Sequence, residues 1–271
     1  MNRTRRRSTS ASDRRSGSFL MAEVADSVRL TPHMQRVTLA APDLTVRDGQ
    51  AADQFCRLLF PPTGRARPVL PVTADWWQEL LALPTGERPV LRNYTIRRFR
   101  PASGEVDIDF VLHGDTGPAS TWAARARVGD AVGLLEQDRS YEQPPDATWQ
   151  LLAGDETALP AIASILEELT DGSRAHVFVE VPTVADVQEL AAPRGVRLHW
   201  VSRDERPDRP GDLVRRAVVD AELPDGPGYA WVAGESRMTT AVRRHLVRDR
   251  GFDKAAVTFC GYWRQHQPAY D

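Results

Sequence analysis

The chain has few cysteines, no long apolar run and little net charge, and each shortage excludes a class of protein. The two cysteines among 271 residues, Cys56 and Cys260, provide neither a disulfide framework nor a cysteine-based metal site. Both lie in apolar, strand-like runs, which indicates buried, reduced thiols. Without a run of about 20 apolar residues, no transmembrane helix is expected. A net charge of -2 gives no reason to expect nucleic acid or a membrane as a partner.

The N-terminal segment 1–17 is basic and serine-rich. It lacks the apolar stretch that a signal peptide needs. We therefore expect a disordered tail on a cytoplasmic protein. We also expect a monomer, because no exposed apolar helix requires a partner.

The first half of the chain has the pattern of β-structure. The run VDIDFVL at Val106–Leu112 alternates apolar and acidic residues before it becomes fully apolar, as a half-buried strand entering a core does. Further strands are predicted at Phe19–Ala25, Met34–Ala40, Gln54–Phe60, Asn93–Phe99 and Ala131–Glu136. Short strands with few helices between them favour a closed antiparallel β-barrel. A long loop, 61–91, interrupts it and has the pattern of a short helix at Asp75–Leu83.

Strands and helices alternate after Trp149, which predicts a parallel sheet covered on both faces. The strand TWQLLAGD leads into a helix whose apolar residues share one face, with Thr157 as the expected N-cap. Later strands are predicted at Ala175–Val181, Val196–Ser202, Tyr229–Gly234 and Ala256–Cys260, with helices at Val184–Leu190, Asp212–Val219 and Arg237–Arg250. The expected architecture is a β-barrel at 18–146 and an α/β domain at 147–271, with a ligand cleft between them.

Two motifs in the barrel half have the chemistry of a phosphate and ring site. Arg92 and Tyr94 are two residues apart on one strand, so they share a face; arginine suits a pyrophosphate, and Thr95 adds a hydroxyl. The turn His113–Ser120 joins a strand to a helix, with Pro118 suited to the first helical position and free amides that favour a phosphate. The alternatives are a surface arginine beside a core tyrosine and an ordinary strand-to-helix turn.

The motifs RNYT, DIDFVLHGDTGPASTWA, LLAGDETALPAI, WVAGE and FCGYWR follow one another in this order. In this set and order the chain resembles the siderophore-interacting proteins, a family of bacterial flavin reductases related in fold to ferredoxin-NADP reductases. The resemblance covers almost the whole chain after about Ser18. It implies a Greek-key barrel that binds FAD and a Rossmann-like domain that binds NADPH or NADH.

The resemblance also implies a role for individual residues. The expected FAD-binding residues are Arg92, Tyr94, Thr95, Asp109, Phe110, Val111, His113, Thr116, Pro118, Ala119 and Ser120. The expected NAD(P)-binding residues are Asp155, Glu156, Thr157, Arg203, Gly234 and Glu235, although no G-x-G-x-x-G fingerprint is present. Arg203 could favour NADPH by meeting its adenosine phosphate, or it could be a solvated surface arginine. Asp155 and Glu156 could instead be an acidic helix start.

The implied reaction is the reduction of iron(III) in a siderophore complex, with electrons from NADPH, NADH or an external ferredoxin and with chemistry supplied by the flavin. Catalytic side chains and protein metal ligands are not expected. Arginines would attract an anionic chelate, and the candidates are Arg65, Arg67, Arg97, Arg98, Arg139 and Arg264. Two alternatives remain at this point. One is a flavin reductase with another acceptor, such as an oxygenase or a ferredoxin. The other is a siderophore carrier without turnover.

Overall fold

The computed structural model describes residues 19–42, 44, 52–113, 117–137, 139–204, 206 and 208–265. The basic N-terminal tail and Thr116 lie outside these ranges. The described residues form one antiparallel and one parallel sheet, as the strand patterns predict. The domain boundaries near 146 remain a prediction.

Seven antiparallel strands form the first sheet, in the order β4-β3-β7-β1-β2-β6-β5. Their apolar faces enclose a core that includes Phe60, Ile108 and Phe110. The sheet curls until Tyr94 of β4 lies 4.4 Å from Phe110 of β6, between ring centroids, and α2 packs beside the same core. The bounds are β1 Leu20–Thr31, β2 Met34–Ala40, β3 Phe55–Phe60, α1 Trp76–Ala82, β4 Val90–Thr95, β5 Arg98–Arg100, β6 Glu105–Val111, α2 Pro118–Arg125 and β7 Ala131–Glu136.

Five parallel strands form the second sheet, in the order β10-β9-β8-β11-β12. Helix α3 covers one face, and α4 and α5 cover the other. The chain runs outward from β8 to β10 and then returns to β11, so the strand order reverses between β8 and β11, where open α/β sheets bind ligands. The bounds are β8 Trp149–Gly154, α3 Leu159–Glu168, β9 Ala175–Val181, β10 Val196–Ser202, α4 Asp212–Asp220, β11 Gly228–Glu235, α5 Ser236–Arg248 and β12 Val257–Trp263.

Cys56 is buried as expected, whereas Cys260 is exposed. Three expectations about secondary structure are also wrong. The helix expected at Val184–Leu190 is only a 3₁₀ turn, Val184–Asp186, because the Asp186 carboxylate is engaged by Thr183 and by the barrel. The strand expected at Asn93–Phe99 is divided into β4 and β5, since the amides of Ile96 and Arg97 bond to carbonyls of Gln54 and Asp107. Helix α3 begins after Ala158, without a side-chain cap from Thr157.

Asp186 ties the turn between β1 and β2 to the parallel sheet. Its carboxylate accepts hydrogen bonds from Thr31 Oγ1 at 2.7 Å, from His33 N at 2.9 Å and from Thr183 Oγ1 at 2.7 Å, and His33 Nδ1 lies 2.8 Å away. Burial alone would raise the pKa of Asp186, but these hydrogen bonds outweigh it and lower the pKa to about 2.

Replacing this carboxylate should change stability in a pH-dependent way. Because the folded-state pKa lies below the ordinary value of 3.8, the stabilisation is complete above that value and is lost as the pH falls towards about 2. We expect Asp186→Asn to lower the free energy of unfolding at pH 7 by about 1–3 kcal/mol, and this difference should shrink between pH 4 and pH 2. Urea titrations at several pH values measure it. The control is Glu189→Gln, an exposed carboxylate nearby; a difference independent of pH would contradict the account.

Candidate functional site

Strand β4 brings Arg92 and Tyr94 to one face, as expected, with Asn93 exposed between them. Tyr94 lies against Phe110 and faces Phe60 at 6.3 Å in a T-shaped arrangement. Burial raises the pKa of Tyr94 well above its ordinary value, so the phenol is neutral. Arg92 is half-buried, and its guanidinium donates to the Leu91 carbonyl at 2.7 Å. The pair offers an aromatic ring and a cation at the end of the barrel.

The three β6 residues expected at the flavin point in different directions. Phe110 joins Tyr94 in the barrel core. Asp109 faces the opposite side, where Arg36 binds both of its oxygens at 2.7 and 2.8 Å. Val111 packs with residues of the parallel sheet. The structure therefore brings Phe110, but not the Asp109 carboxylate, to Tyr94.

The N-terminus of α2 has the features of a phosphate site. Gly117 precedes it in extended conformation, no side chain among the described residues caps the helix, and Pro118 occupies the first turn. The amides of Ala119 and Ser120 belong to the first turn, where no intrahelical acceptor exists. The His113 ring is exposed and lies so near Gly117 that a Cβ there would stand 3.0 Å from Cε1. An aromatic pair, an arginine and an uncapped glycine-led helix fit a flavin dinucleotide.

Asp155 directly follows β8, at the point where the strand order reverses between β8 and β11. It is completely buried and accepts hydrogen bonds from the amides of Thr157 at 3.0 Å and Glu235 at 2.7 Å. Trp263 Nε1 of β12 donates to it at 2.9 Å. Burial raises the pKa of Asp155 to about 7. Asp155 thus holds together the ends of β8, β11 and β12. The amides of Thr157 and Glu235 already donate to its carboxylate, so they are engaged before any phosphate could bind.

Glu235 and Arg203 also have structural partners. The Glu235 carboxylate caps α5 by accepting from the amides of Arg237 and Met238. The Arg203 guanidinium binds Glu156 at 2.6 Å and Glu180 at 2.8 Å. Because two carboxylates surround this cation, Arg203 is not a free partner for an adenosine phosphate, and the preference for NADPH that it suggested has no support here.

The six candidate substrate arginines do not form one cluster. Arg65 and Arg67 pair on the surface with Glu87 and Glu23. Arg97 is buried in a bidentate pair with Glu167 of α3, at 2.6 and 3.1 Å, so it joins the two sheets. Arg98, Arg139 and Arg264 are exposed as well, and Arg98 Nη2 lies 3.9 Å from Glu167 Oε1.

Sequence reasoning missed Asp53, which lies in the turn before β3. Its buried carboxylate accepts hydrogen bonds from Ser140, Trp231 and Tyr262. No local pattern indicated it, because AADQF reads as an ordinary polar loop. Within the described ranges, no His, Cys, Asp and Glu side chains group as a metal site, and none of the helices there has the length and apolar character needed to cross a bilayer.

Gly234 should tolerate no side chain. Its φ is +129°, and a Cβ would stand 2.6 Å from Asp155 Oδ2. We expect Gly234→Ala to lower the free energy of unfolding by about 3 kcal/mol or more, from backbone strain and displacement of the buried carboxylate. The control, Gly172→Ala, has φ +96° but open space around it, so it should lose only about 1–2 kcal/mol. Equal losses in urea titrations would contradict this account.

Comparisons with known proteins agree with this geometry. Residues 23–141 match the model of the siderophore-interacting FAD-binding domain, and residues 147–266 match that of the siderophore-interacting protein. The ferric vibriobactin reductase ViuB of Vibrio cholerae is 29% identical over 87% of this chain and 86% of its own. The NADPH-dependent ferric-chelate reductase of Escherichia coli K12 is 27% identical over 87% and 89%.

Solved structures give the same result. A siderophore utilization protein from T. fusca is 33% identical, covers 93% of this chain and 95% of its own, and has a TM-score of 0.80. A ferredoxin NADP+ reductase from Neisseria gonorrhoeae, at 15% identity, TM-score 0.62 and coverage of 92% and 100%, shares the fold alone. The chain therefore belongs to the siderophore-interacting protein family.

Proposed function

We propose that this protein is a flavoenzyme that reduces iron(III) held by a siderophore, with a nicotinamide nucleotide as electron donor. The observation that carries the proposal is that α2, which no described side chain caps, packs against β4, the strand of Arg92 and Tyr94. Both lie in a barrel that matches the family's FAD-binding domain. The reductase names of two relatives support the reaction.

The chain's own residues would bind and orient FAD. Arg92 and the first-turn amides of α2 would hold the phosphates, and Tyr94 and Phe110 would form an apolar wall for the ring. Bound flavin supplies the step from a two-electron donor to a one-electron acceptor. In balance, one NAD(P)H and two iron(III) give one NAD(P)+, one proton and two iron(II). Hard oxygen ligands hold iron(II) less tightly than iron(III), so the metal would be released.

The donor and the location belong to the proposal as well. Arg203 is neutralised by Glu156 and Glu180, so it gives no reason to prefer NADPH over NADH. A ferredoxin is the alternative donor. The two cysteines are free, which suits the reducing cytoplasm, where we expect the reaction to occur.

FAD binding should depend on Arg92. We expect the purified protein to bind FAD and Arg92→Ala to weaken binding about 10- to 100-fold, because a charge-assisted hydrogen bond contributes about 1.5–3 kcal/mol. Quenching of flavin fluorescence measures the Kd. The control is Asn93→Ala, on the opposite face of the same strand. No FAD uptake, or equal effects of both variants, would contradict the proposed site.

Iron reduction separates the proposal from its rivals. Under anaerobic conditions, we expect NADPH or NADH to bleach the flavin, and a ferric siderophore to restore it while iron(II) appears in a ferrozine trap. Turnover with dyes or ferredoxin but not with ferric chelates would favour a flavin reductase with another acceptor. Chelate binding without flavin would favour a carrier.

Arg264 is our leading candidate for the substrate edge, because it is exposed and directly follows Trp263, which is bound to Asp155. We expect Arg264→Gln to raise KM several-fold for an anionic catecholate chelate and to leave KM for a neutral hydroxamate chelate unchanged. The control is Arg65→Gln, an exposed arginine paired with Glu87. Equal changes in KM for both chelates would refute this role for Arg264.

A further inference from the structure

A cationic cleft lies at the end of the parallel sheet opposite Asp155. It has a volume of about 440 Å³ and is found where β9 and β10 begin and α4 has ended. Strand β8 has six residues, so the cleft is about 20 Å from Asp155, and a ligand in it would not compete with one at the strand reversal. The side chains that line it include Arg174, His176, Arg194, Arg197 and Glu222.

Gly195 brings the segments before β9 and β10 close together. A Cβ at this position would clash with the carbonyl oxygen of Ser173, so only glycine allows the approach. Within the sheet, Arg197 of β10 is paired in register with His176 of β9. Two neighbouring strands therefore place the three arginines around one opening.

The three arginines of the cleft have no ion-pair partner among the described residues. Arg174, Arg194 and Arg197 are exposed, and Glu222 lines the cleft without reaching them. The negative C-terminal end of α4 is already occupied by Arg250, which donates to two carbonyl oxygens there at 2.8 and 2.9 Å. The cleft therefore keeps an excess of positive charge that attracts an anion.

His176 is held in the cleft with its hydrogen-bonding capacity unused. It is 8% exposed, and its ring makes no hydrogen bond within the described part of the chain. Aromatic contacts fix the ring: Trp149 lies 6.4 Å away in a T-shaped arrangement, and Phe178 and His199 are stacked with it at 6.4 and 5.7 Å. Buried polar groups are normally hydrogen-bonded, so the partner of this ring must come from the cleft.

We propose that the cleft is an anion-binding site, separate from the flavin and nicotinamide sites, which takes the phosphate group of a small molecule. The forked donors of arginine match the oxygens of a phosphate, and such charge-assisted hydrogen bonds are strong. His176 donates a further hydrogen bond from a fixed position. Because three cations outweigh Glu222, the site favours a dianion over a single carboxylate.

Protonation of His176 is linked to the anion. Burial first, and then the neighbouring His199 and two of the arginines, lowers the pKa of His176 below its ordinary value of 6.5, so the ring is neutral at pH 7 without a ligand. A bound anion favours the imidazolium and raises this pKa, so affinity rises as the pH falls. The charged and titratable groups that face the ring are Arg174 before β9, Arg197 and His199 on β10, and Glu222 after α4.

Sulfate is the probe, because its charge stays constant near neutral pH whereas that of phosphate does not. In isothermal titration calorimetry at constant ionic strength, we expect a saturable site whose Kd falls several-fold between about pH 8 and pH 5.5. Arg197→Gln should raise the Kd about tenfold, the effect of one charge-assisted hydrogen bond. His176→Gln should remove most of the pH dependence. The control is Arg216→Gln, an exposed arginine of α4 paired with Asp208, which should leave the Kd unchanged.

The source of the phosphate group follows from two further ligands. The exposed His199 ring is stacked on Phe178 at 4.5 Å, so it offers a surface for a base. Inorganic phosphate and adenosine monophosphate are compared, each with the wild-type protein and Arg197→Gln. Tighter binding of adenosine monophosphate, weakened by Arg197→Gln, identifies a nucleotide; equal affinities identify free phosphate.

Other results would overturn the site. Absence of saturable sulfate binding, or equal effects of Arg197→Gln and Arg216→Gln, would show that the arginines are only a solvated surface. A Kd independent of pH in the wild-type protein would refute the role of His176. If His176→Gln does not fold, Arg197→Gln decides, because that side chain is exposed. None of these results depends on FAD uptake, so a failure here leaves the proposed function untouched.

Discussion

Buried carboxylates connect the barrel to the parallel sheet, and the positions of the cofactor residues depend on these contacts. Asp53 and Asp186 each receive donors from both parts of the chain, and Glu167 binds the buried Arg97. A buried charge is costly unless hydrogen bonds and partners compensate it, so these contacts tolerate little rearrangement. The contact between Asp53, just before β3, and Tyr262 holds β12 against the barrel.

Features that rest on local periodicity could be predicted from the sequence. Alternation in VDIDFVL correctly places Phe110 and Asp109 on opposite faces, where they contact Tyr94 and Arg36. The expected half-buried strand is wrong, because both faces of this strand are buried. The alternation of strands and helices after Trp149 defines the parallel sheet. The spacing of Arg92 and Tyr94 correctly predicts a common face. The helix expected at 184–190 is only a 3₁₀ turn, because the tertiary contacts of Asp186 outweigh the helical propensity of the segment.

The hydrogen bonds around the buried carboxylate of Asp53 could not be predicted in this way. Asp53 meets Ser140, Trp231 and Tyr262 across 87, 178 and 209 positions of the chain, and no local pattern reports such contacts. Arg203 illustrates the same limit, because its two partners, Glu156 and Glu180, become visible only in the folded sheet. Sequence motifs indicate which residue types lie near a site. Only the folded structure shows which of these side chains already form ion pairs or hydrogen bonds with other residues.

A crystal structure of the protein with FAD tests most directly whether FAD binds at the end of the barrel, between β4 and α2. We expect the flavin ring beside Tyr94 and the phosphates at the N-terminus of α2 and at Arg92. FAD bound away from Tyr94, or phosphates that contact neither Arg92 nor α2, would contradict the proposed site.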